Sequence, residues 1–137
     1  MLNHHGNVKA EATLANLDDG RVWYGSAVAS EIHDMEWLAE HLPADGSIRL
    51  NSLTNTHTTL ILAGPKARAI LQKMTRINCS PEAFGWLQVR QGFVGIAPTV
   101  IMSVSFSGEQ AFEIHLPNNQ LHACLLYTSD AADDTPC

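Results

Sequence analysis

The stretch 58-TTLILAGPKARAILQKM-74 decides the fold, because it joins a strand to a helix within one short run. Residues 58–63 are rich in β-branched residues and leucine, which favours a strand. Gly64-Pro65 breaks that strand, and proline suits the first position of a helix because its missing N–H has no partner there. The apolar residues that follow recur at helical spacing and predict one buried helix face, made of Ala67, Ile70, Leu71 and Met74.

The residues before this stretch predict a hairpin followed by a helix. Residues 8–17 and 21–25 have the composition of strands, and the Asp-Asp-Gly sequence at 18–20 between them is a strong turn signal. Residues 26–42 carry apolar side chains on one helical face. Ser30 is a candidate N-cap for that helix, because its hydroxyl can accept a bond from a free backbone N–H.

The remaining pattern predicts further short strands and a last helix. A strand is expected at residues 48–51, and a helix is expected to begin near Pro117. Three more strand candidates follow the second helix: residues 87–96, 100–106 and 111–116. Strands and helices are mixed without strict alternation. The sequence therefore predicts an α+β fold with mixed, largely antiparallel sheets and two or three packed helices.

The last fourteen residues differ in kind from the rest. Residues 124–133 have the sequence CLLYTSDAAD, which resembles the translation of a transposon-type sequencing adapter. We therefore expect a natural part, residues 1–123, that is truncated at both ends, and a non-native tail at residues 124–137. The alternative is a genuine acidic tail of the kind that is often disordered.

Composition limits the classes of function. The chain has 8 Lys plus Arg and 14 Asp plus Glu, for a net charge of −6; without the three tail acids, Asp130, Asp133 and Asp134, it is −3. Nucleic-acid binding is usually marked by a basic patch, which this composition does not suggest. Cys79 is the single cysteine of residues 1–123, so that part has no internal disulfide. Without a signal peptide or a membrane-length apolar run, we expect a cytoplasmic protein with no nucleic-acid or membrane partner.

Three stretches together resemble the folate-binding aminomethyltransferase family, the family of the glycine-cleavage T-protein. They are residues 1–14 (MLNHHGNVKAEATL), 60–71 (LILAGPKARAIL) and 106–114 (FSGEQAFEI), in the family's order and spacing. Within the family, residues 25–43 and 93–109 look most similar to the C-terminal folate domain of dimethylglycine and sarcosine dehydrogenase-like flavoproteins. The resemblance implies that residues 1–123 form part of such a domain and use tetrahydrofolate.

The resemblance also implies roles for two carboxylates. Glu113 stands where the family places the acid that accepts the two parallel N–H donors of the pterin ring. Glu11 stands where the family places the catalytic acid near the migrating one-carbon unit, whose positive charge a fixed carboxylate stabilises. Relatives usually have aspartate there, so the longer side chain of Glu11 changes its reach. Without the resemblance, Glu113 would be interpreted as a surface glutamate on an alternating strand, and Glu11 as an exposed glutamate on an edge strand.

Two aromatic residues complete the candidate substrate site. Phe106 matches a position where many relatives have tyrosine, and its ring can stack on the folate. Tyr24 lies where the family fold brings the chain near the ligand. The structural alternatives are a core aromatic for Phe106 and core or rim packing for Tyr24.

The resemblance implies a fragment of a tetrahydrofolate-dependent one-carbon transfer domain, which we expect to be inactive alone. The ligands of this domain would be folate and a one-carbon unit derived from a small N-methyl amine. Its partners would be the missing domains of its own parent chain. FAD would belong only to an upstream domain, because no G-x-G-x-x-G fingerprint occurs here. The alternatives are a stand-alone T-protein and a non-enzymatic folate-binding protein that assists iron–sulfur enzymes. The seven histidines show no zinc spacing, and no metal site is predicted.

Overall fold

The computed structural model describes the backbone of residues 1–133 and the side chains of residues 1–127. The chain forms two compact units, Met1–Leu53 and Thr54–Cys137. Over the described residues the units contain two antiparallel sheets and three α-helices. The predicted α+β class is therefore confirmed. Among the described helices, none is long and apolar enough to cross a membrane.

The first unit begins with the predicted hairpin. Strand β1 (Ala12–Asn16) pairs antiparallel with β2 (Val22–Ser26), and β1 starts four residues later than the pattern indicated. Gly20 closes the turn with a φ of 83°, which glycine adopts without steric cost. A single 3₁₀ turn, Val28–Ser30, then leads into helix α1 (Glu31–Glu40).

Three details of the first unit differ from the sequence expectation. Helix α1 begins at Glu31 rather than at residue 26, because the residues before it form the 3₁₀ turn. Ser30 occupies the N-cap, but its hydroxyl donates to the carbonyl of Ala27 at 2.8 Å and makes no capping bond to the helix. The strand predicted at residues 48–51 is wrong, because that segment runs as irregular chain with no strand beside it among the described residues.

The second unit is a four-stranded antiparallel sheet with two α-helices. Its elements in chain order are β3 (His57–Ala63), α2 (Ala67–Met74), β4 (Val89–Val94), β5 (Ala97–Met102), β6 (Ala111–Pro117), a 3₁₀ turn (Asn118–Gln120) and α3 (Leu121–Asp133). The strand order is β3-β6-β5-β4, so β6 lies between β3 and β5 inside the sheet. A strand with neighbours on both sides holds its side chains in fixed positions.

The core of this unit lies on one face of the sheet. Helix α2 contributes the predicted apolar face, on which Ala67, Leu71 and Met74 are buried and Ile70 packs against the same cluster. The inward residues of β6, the buried loop residue Phe84 and residues of β4, β5 and α3 form the rest of the cluster. Burial of this apolar surface is the main force that holds the second unit together.

The boundaries of α2 and of the β4–β5 hairpin differ from the pattern. Helix α2 starts at Ala67, whose N–H donates to the carbonyl of Gly64 at 3.0 Å, so Pro65 lies in the turn before the helix. The β4–β5 turn falls at Gly95, where φ is 56°, inside the single strand predicted for residues 87–96. Strand β5 consequently ends at Met102, before Phe106.

One residue other than glycine has left-handed backbone among the described residues. Leu87 has a φ of 59° just before β4. Its N–H donates to the carbonyl of Ser103 at 2.9 Å, which continues the pairing of this part of the chain beyond the sheet. A branched residue in this conformation carries strain of roughly 1–2 kcal/mol.

The last helix runs into the segment that we expected to be a non-native tail. Cys124 on α3 is fully buried in the core cluster. The ring of Tyr127 packs against Gly95 at the β4–β5 turn. The origin of residues 124–133 stays a prediction, and residues 134–137 lie outside the described part of the chain.

Candidate functional site

Strand β6 places Glu113 on the face of the sheet that lies away from the core. Successive side chains of a strand point to opposite faces. Phe112, Ile114 and Leu116 are fully buried in the core. Glu113 and His115 therefore share the other face, and the side chain of Glu113 is 35% exposed. The predicted carboxylate thus stands on a strand inside the sheet and is reachable from solvent.

Glu113 belongs to a row of three polar residues, Thr59, His115 and Glu113. Nε2 of His115 lies 3.2 Å from Oε2 of Glu113, and Nδ1 of His115 lies 2.8 Å from Oγ1 of Thr59. The antiparallel register of β3 and β6 sets Thr59 directly opposite His115. His115 and Thr59 therefore form the polar surroundings on one side of the Glu113 side chain.

The charges of the row follow from its burial. Burial raises the pKa of Glu113 above its ordinary value. Burial, together with the nearby charge of His57, lowers the pKa of His115 from 6.5 to about 4. His115 is therefore neutral at pH 7, with one ring nitrogen as donor and the other as acceptor. A proton on Nε2 would face the Glu113 carboxylate, while Nδ1 would accept from the Thr59 hydroxyl.

The surroundings of Glu113 fit a flat ligand with paired donors. Its Oε1 atom accepts no hydrogen bond from any residue of the described part of the chain. Ile61, opposite Glu113 in the register, is 71% exposed and offers apolar surface beside the carboxylate. A carboxylate with a free oxygen next to an apolar side chain can accept two parallel N–H groups while the ring packs alongside.

Phe106 lies near the start of β6 but not on a strand. It stands in the loop after β5, and its side chain is fully exposed, with a relative accessibility of 110%. The interpretation of Phe106 as a core aromatic is therefore wrong. An exposed ring on the loop that leads into β6 remains available for stacking on a ligand.

Glu11 and Tyr24 belong to the first unit, whereas Glu113 and Phe106 belong to the second. Glu11 is an exposed residue just before β1. A shared ligand for Glu11 and Glu113 stays a prediction. Tyr24 lies on β2 and is half-buried.

The hydroxyl of Tyr24 is already engaged within the first unit. It donates to Oδ2 of Asp34 at 3.0 Å, and Oγ of Ser30 lies 3.0 Å from the same oxygen, so that Asp34 shares the Ser30 hydroxyl proton with the Ala27 carbonyl. Nδ1 of His33 lies 3.1 Å from Oδ1 of Asp34. These contacts support rim packing as one role of Tyr24; a contact with a ligand stays a prediction.

Asp34 is the buried acid at the centre of this cluster. It is 2% exposed. The hydrogen bond from His33 lowers its pKa to about 2; burial opposes that shift, and bonds from Ser26, Tyr24 and Ser30 add to it. The side chain is therefore ionised at pH 7 and links β2 to α1.

Two residues of the row beside Glu113, His115 and Thr59, were not predicted from the sequence as site residues. His115 follows Glu113 by two residues, so strand alternation was a signal that they share a face. Thr59 is 56 residues away, and only the β3–β6 register reveals it. Within the described residues, no group of three or more histidines, cysteines or acids is arranged to hold a metal ion.

Comparisons with known proteins identify the family of the chain and its fold. The family model described as the GCVT N-terminal domain matches residues 1–133. Human mitochondrial dimethylglycine dehydrogenase is 31% identical over 116 residues, which cover 84% of this chain and 13% of that protein. An aminomethyltransferase of Thermoanaerobacter pseudethanolicus is 25% identical over 118 residues, which cover 86% of this chain and 32% of that protein.

A solved structure shares the fold. The heterotetrameric sarcosine oxidase from Corynebacterium sp. U-96, in complex with pyrrole 2-carboxylate, matches with a TM-score of 0.71 at 16% sequence identity. The match covers 91% of this chain and 61% of that chain. At this identity the likeness concerns the fold alone.

Proposed function

The chain belongs to the GCVT N-terminal domain family, and on that basis we propose that it binds tetrahydrofolate as part of a one-carbon transfer domain like that of dimethylglycine and sarcosine dehydrogenases. The observation that carries the proposal is the half-exposed carboxylate of Glu113, beside apolar surface on the side of the sheet away from the core. The chain spans about an eighth of the human relative's length, so the rest of the activity would need residues that lie outside this chain.

In this proposal the residues of the row bind and orient the ligand. Glu113 accepts the two N–H groups of the pterin amide edge, and a carboxylate makes such charge-assisted bonds in a geometry that few other groups match. The Thr59 hydroxyl bonds to the ring of His115, and that ring lies beside Glu113, so the row would limit the rotamers that Glu113 can adopt. The exposed ring of Phe106 stacks on the ligand.

Tetrahydrofolate would supply N5 as the acceptor of the one-carbon unit. Glu11 would stabilise the positive charge that develops on that unit, or hold the proton that leaves N5. The donor would be derived from a small N-methyl amine, and the missing domains of the parent chain would deliver it. The described residues alone would bind folate without completing the transfer.

A stand-alone aminomethyltransferase of glycine cleavage is the second candidate. The similarity to the Thermoanaerobacter pseudethanolicus aminomethyltransferase, which covers 86% of this chain, favours it. Both candidates use the same folate contacts and differ in the donor of the one-carbon unit. Transfer from a lipoyl-carried aminomethyl group, tested in the intact parent protein, separates them.

The experiment that tests the proposal is calorimetric titration of the chain with tetrahydrofolate, with Glu113→Gln as the variant. We expect the variant to bind roughly ten to a hundred times more weakly, because it loses a charge-assisted hydrogen-bond pair. Glu82→Gln, which alters an exposed loop acid, is the matched control and should bind like the unaltered chain. Equal affinity of Glu113→Gln would remove Glu113 from the site, and no folate binding by the unaltered chain would refute the assignment for this chain.

A further inference from the structure

Strand β3 (His57–Ala63) forms one edge of the four-stranded sheet, and β6 is its single neighbour among the described strands. The strand at the opposite edge, β4, is partly covered. Thr75 forms a bridge with Val94, and the N–H of Gly95 donates to the carbonyl of Met74 at 2.9 Å. No bridge of this kind covers β3 in the described part of the chain. The two edges of the sheet therefore differ in how well they are protected.

The hydrogen bonds around β3 show which of its backbone groups point to the open edge. The N–H of Gly64 donates to the carbonyl of Gln110 at 2.9 Å, in the same register that pairs β3 with β6. Bonded and non-bonded pairs alternate along an antiparallel ladder, so the even-numbered residues of β3 bond to β6. The N–H and C=O groups of Thr59, Ile61 and Ala63 therefore point to the open edge.

The side chains of β3 do not protect this edge either. Residues 58–63 have the sequence TTLILA, without a charged residue or a proline, and their pairing with β6 runs without a bulge. Natural edge strands usually carry such a feature, which prevents pairing with a strand of another molecule. Thr59 and Ala63 are exposed, and Ile61 is 71% exposed, so that a further strand has access to this edge.

The sequence of β3 is complementary to itself. In an antiparallel pairing about a twofold axis at Leu60, the outward backbone groups of Thr59 face those of Ile61 in the second copy. These two side chains are β-branched and pack well as a cross-strand pair. On the side of the sheet that bears the core, Leu60 faces its own copy and Leu62 faces Thr58. Both leucines are half-buried and pack against the core cluster, so the pairing covers apolar surface that one copy leaves open.

We propose that two copies of this chain associate through β3 and form one continuous antiparallel sheet across a twofold axis at Leu60. This register pairs every residue of β3, and a shift by two residues in either direction shortens the paired stretch. A twofold arrangement uses the β3 edges of both copies, so the association stops at the dimer. The pairing does not depend on the folate contacts proposed above.

The first test is the oligomeric state of the chain in solution. We expect sedimentation velocity to show a monomer–dimer equilibrium with a dissociation constant of roughly 10–100 μM, because two paired strands bury a small interface. Ile61→Lys brings like charges together across the axis and should raise the dissociation constant at least about tenfold. Phe93→Lys adds the same charge at a 59% exposed position of β4. It is the matched control and should leave the equilibrium unchanged.

The second test identifies the register. Leu60→Cys places two thiols opposite each other in a non-hydrogen-bonded pair, with Cα atoms about 4.5 Å apart, which a disulfide can span. Oxidised glutathione should therefore cross-link this variant into a covalent dimer. Leu62→Cys lies on the same face and is equally half-buried, but its Cα atoms are roughly 14 Å apart in this register and should not cross-link. Cys79 and Cys124 are buried and common to both variants.

Several results would overturn the proposal. One is a chain that stays monomeric up to about 1 mM, well above the expected dissociation constant. Others are an Ile61→Lys variant that dimerises as tightly as the unaltered chain, and equal cross-linking of the two cysteine variants. Open-ended oligomers would contradict the twofold axis. Slow hydrogen exchange at Thr59 and Ile61 in a monomer would mean that another segment covers the edge. The sedimentation comparison alters only exposed side chains, so it decides the question even if the cysteine variants fold poorly.

Discussion

His115 lies between two polar neighbours of its own sheet. One nitrogen lies 2.8 Å from the Thr59 hydroxyl and the other 3.2 Å from the Glu113 carboxylate. A protonated ring would be a donor at both positions and would also bear a charge in a buried place. The neutral ring is therefore the form that the folded chain prefers at pH 7, and it can orient Glu113 without neutralising it.

This preference makes the stability of the second unit depend on pH. The unfolded histidine takes up a proton near pH 6.5, whereas the folded one resists it down to about pH 4. The unfolded state binds more protons in that window, so the free energy of unfolding falls as pH decreases from 6.5 to 4, by up to roughly 2–3 kcal/mol. Urea unfolding at a series of pH values should show this slope, and His115→Gln should flatten it. An identical slope in the variant would contradict the depressed pKa.

Some of the site could be predicted at the level of single residues. Glu113 was recognisable because strand alternation and the family motif agreed on its position. Thr59 was not, because its contact with His115 depends on the pairing of β3 with β6, and no local pattern encodes that register. The hydrogen bond from Tyr24 to Asp34 could not be predicted either, because it joins β2 to α1.

At the scale of elements, Asp34 ties α1 to β2. We expect Asp34→Asn to lower the free energy of unfolding by roughly 1–3 kcal/mol, because a buried carboxylate loses its charge-assisted bonds. Its depressed pKa places this contribution above pH 4, and it is lost as pH falls toward 2. Thermal unfolding followed by tryptophan fluorescence measures the effect. Glu36→Gln, on the exposed side of the same helix, should change little, and an equal loss in both variants would refute a special role for Asp34.

The β4–β5 turn depends on Gly95. A Cβ atom at this position would lie 2.6–3.0 Å from ring atoms of Tyr127, and φ is 56°. Gly95→Ala should therefore lower the free energy of unfolding by roughly 2–4 kcal/mol, from backbone strain plus a clash. Gly108→Ala, with a φ of 84° and no atom within 4 Å, incurs only the strain and should cost about 1–2 kcal/mol. Urea midpoints that are equal for the two variants would argue against the packing of Tyr127 on the turn.

Some helices and strands could be predicted from the sequence more accurately than others. Helix α2 followed from its apolar face, because burial against the sheet reinforces the local periodicity. The β4–β5 hairpin did not, because Gly95 is the single turn signal between Val94 and Ala97, and residues 87–96 were therefore predicted as one strand. Pro98 is tolerated because it lies in the part of β5 that does not pair with β6.

At the scale of the molecule, the two units differ in how much core they contain. Every member of the hydrophobic cluster, from Ala67 to Cys124, belongs to the second unit. The first unit buries only Ala15 and Leu17 among its apolar residues, and a two-stranded hairpin is marginal by itself. Several large apolar side chains of the first unit are more than half exposed, including Leu14, Val22, Val28 and Ile32.

This difference predicts the behaviour of separate fragments. Residues 54–137 should unfold cooperatively when expressed alone, because their core is complete within the fragment. Residues 1–53 should show no cooperative transition, since they bury too little apolar surface to offset the loss of chain entropy. Circular dichroism on heating distinguishes the two. A sharp transition in the shorter fragment, or none in the longer, would contradict this division.

The left-handed backbone of Leu87 has a consequence for engineering the chain. Its side chain is 65% exposed and therefore adds apolar surface to the molecule. Its backbone is held in a conformation that glycine adopts without steric cost. Leu87→Gly would relieve that conformation and reduce the tendency to self-associate in concentrated solution. The same change would also give the neighbouring Trp86, which is 71% exposed, more conformational freedom, because glycine restricts the backbone least.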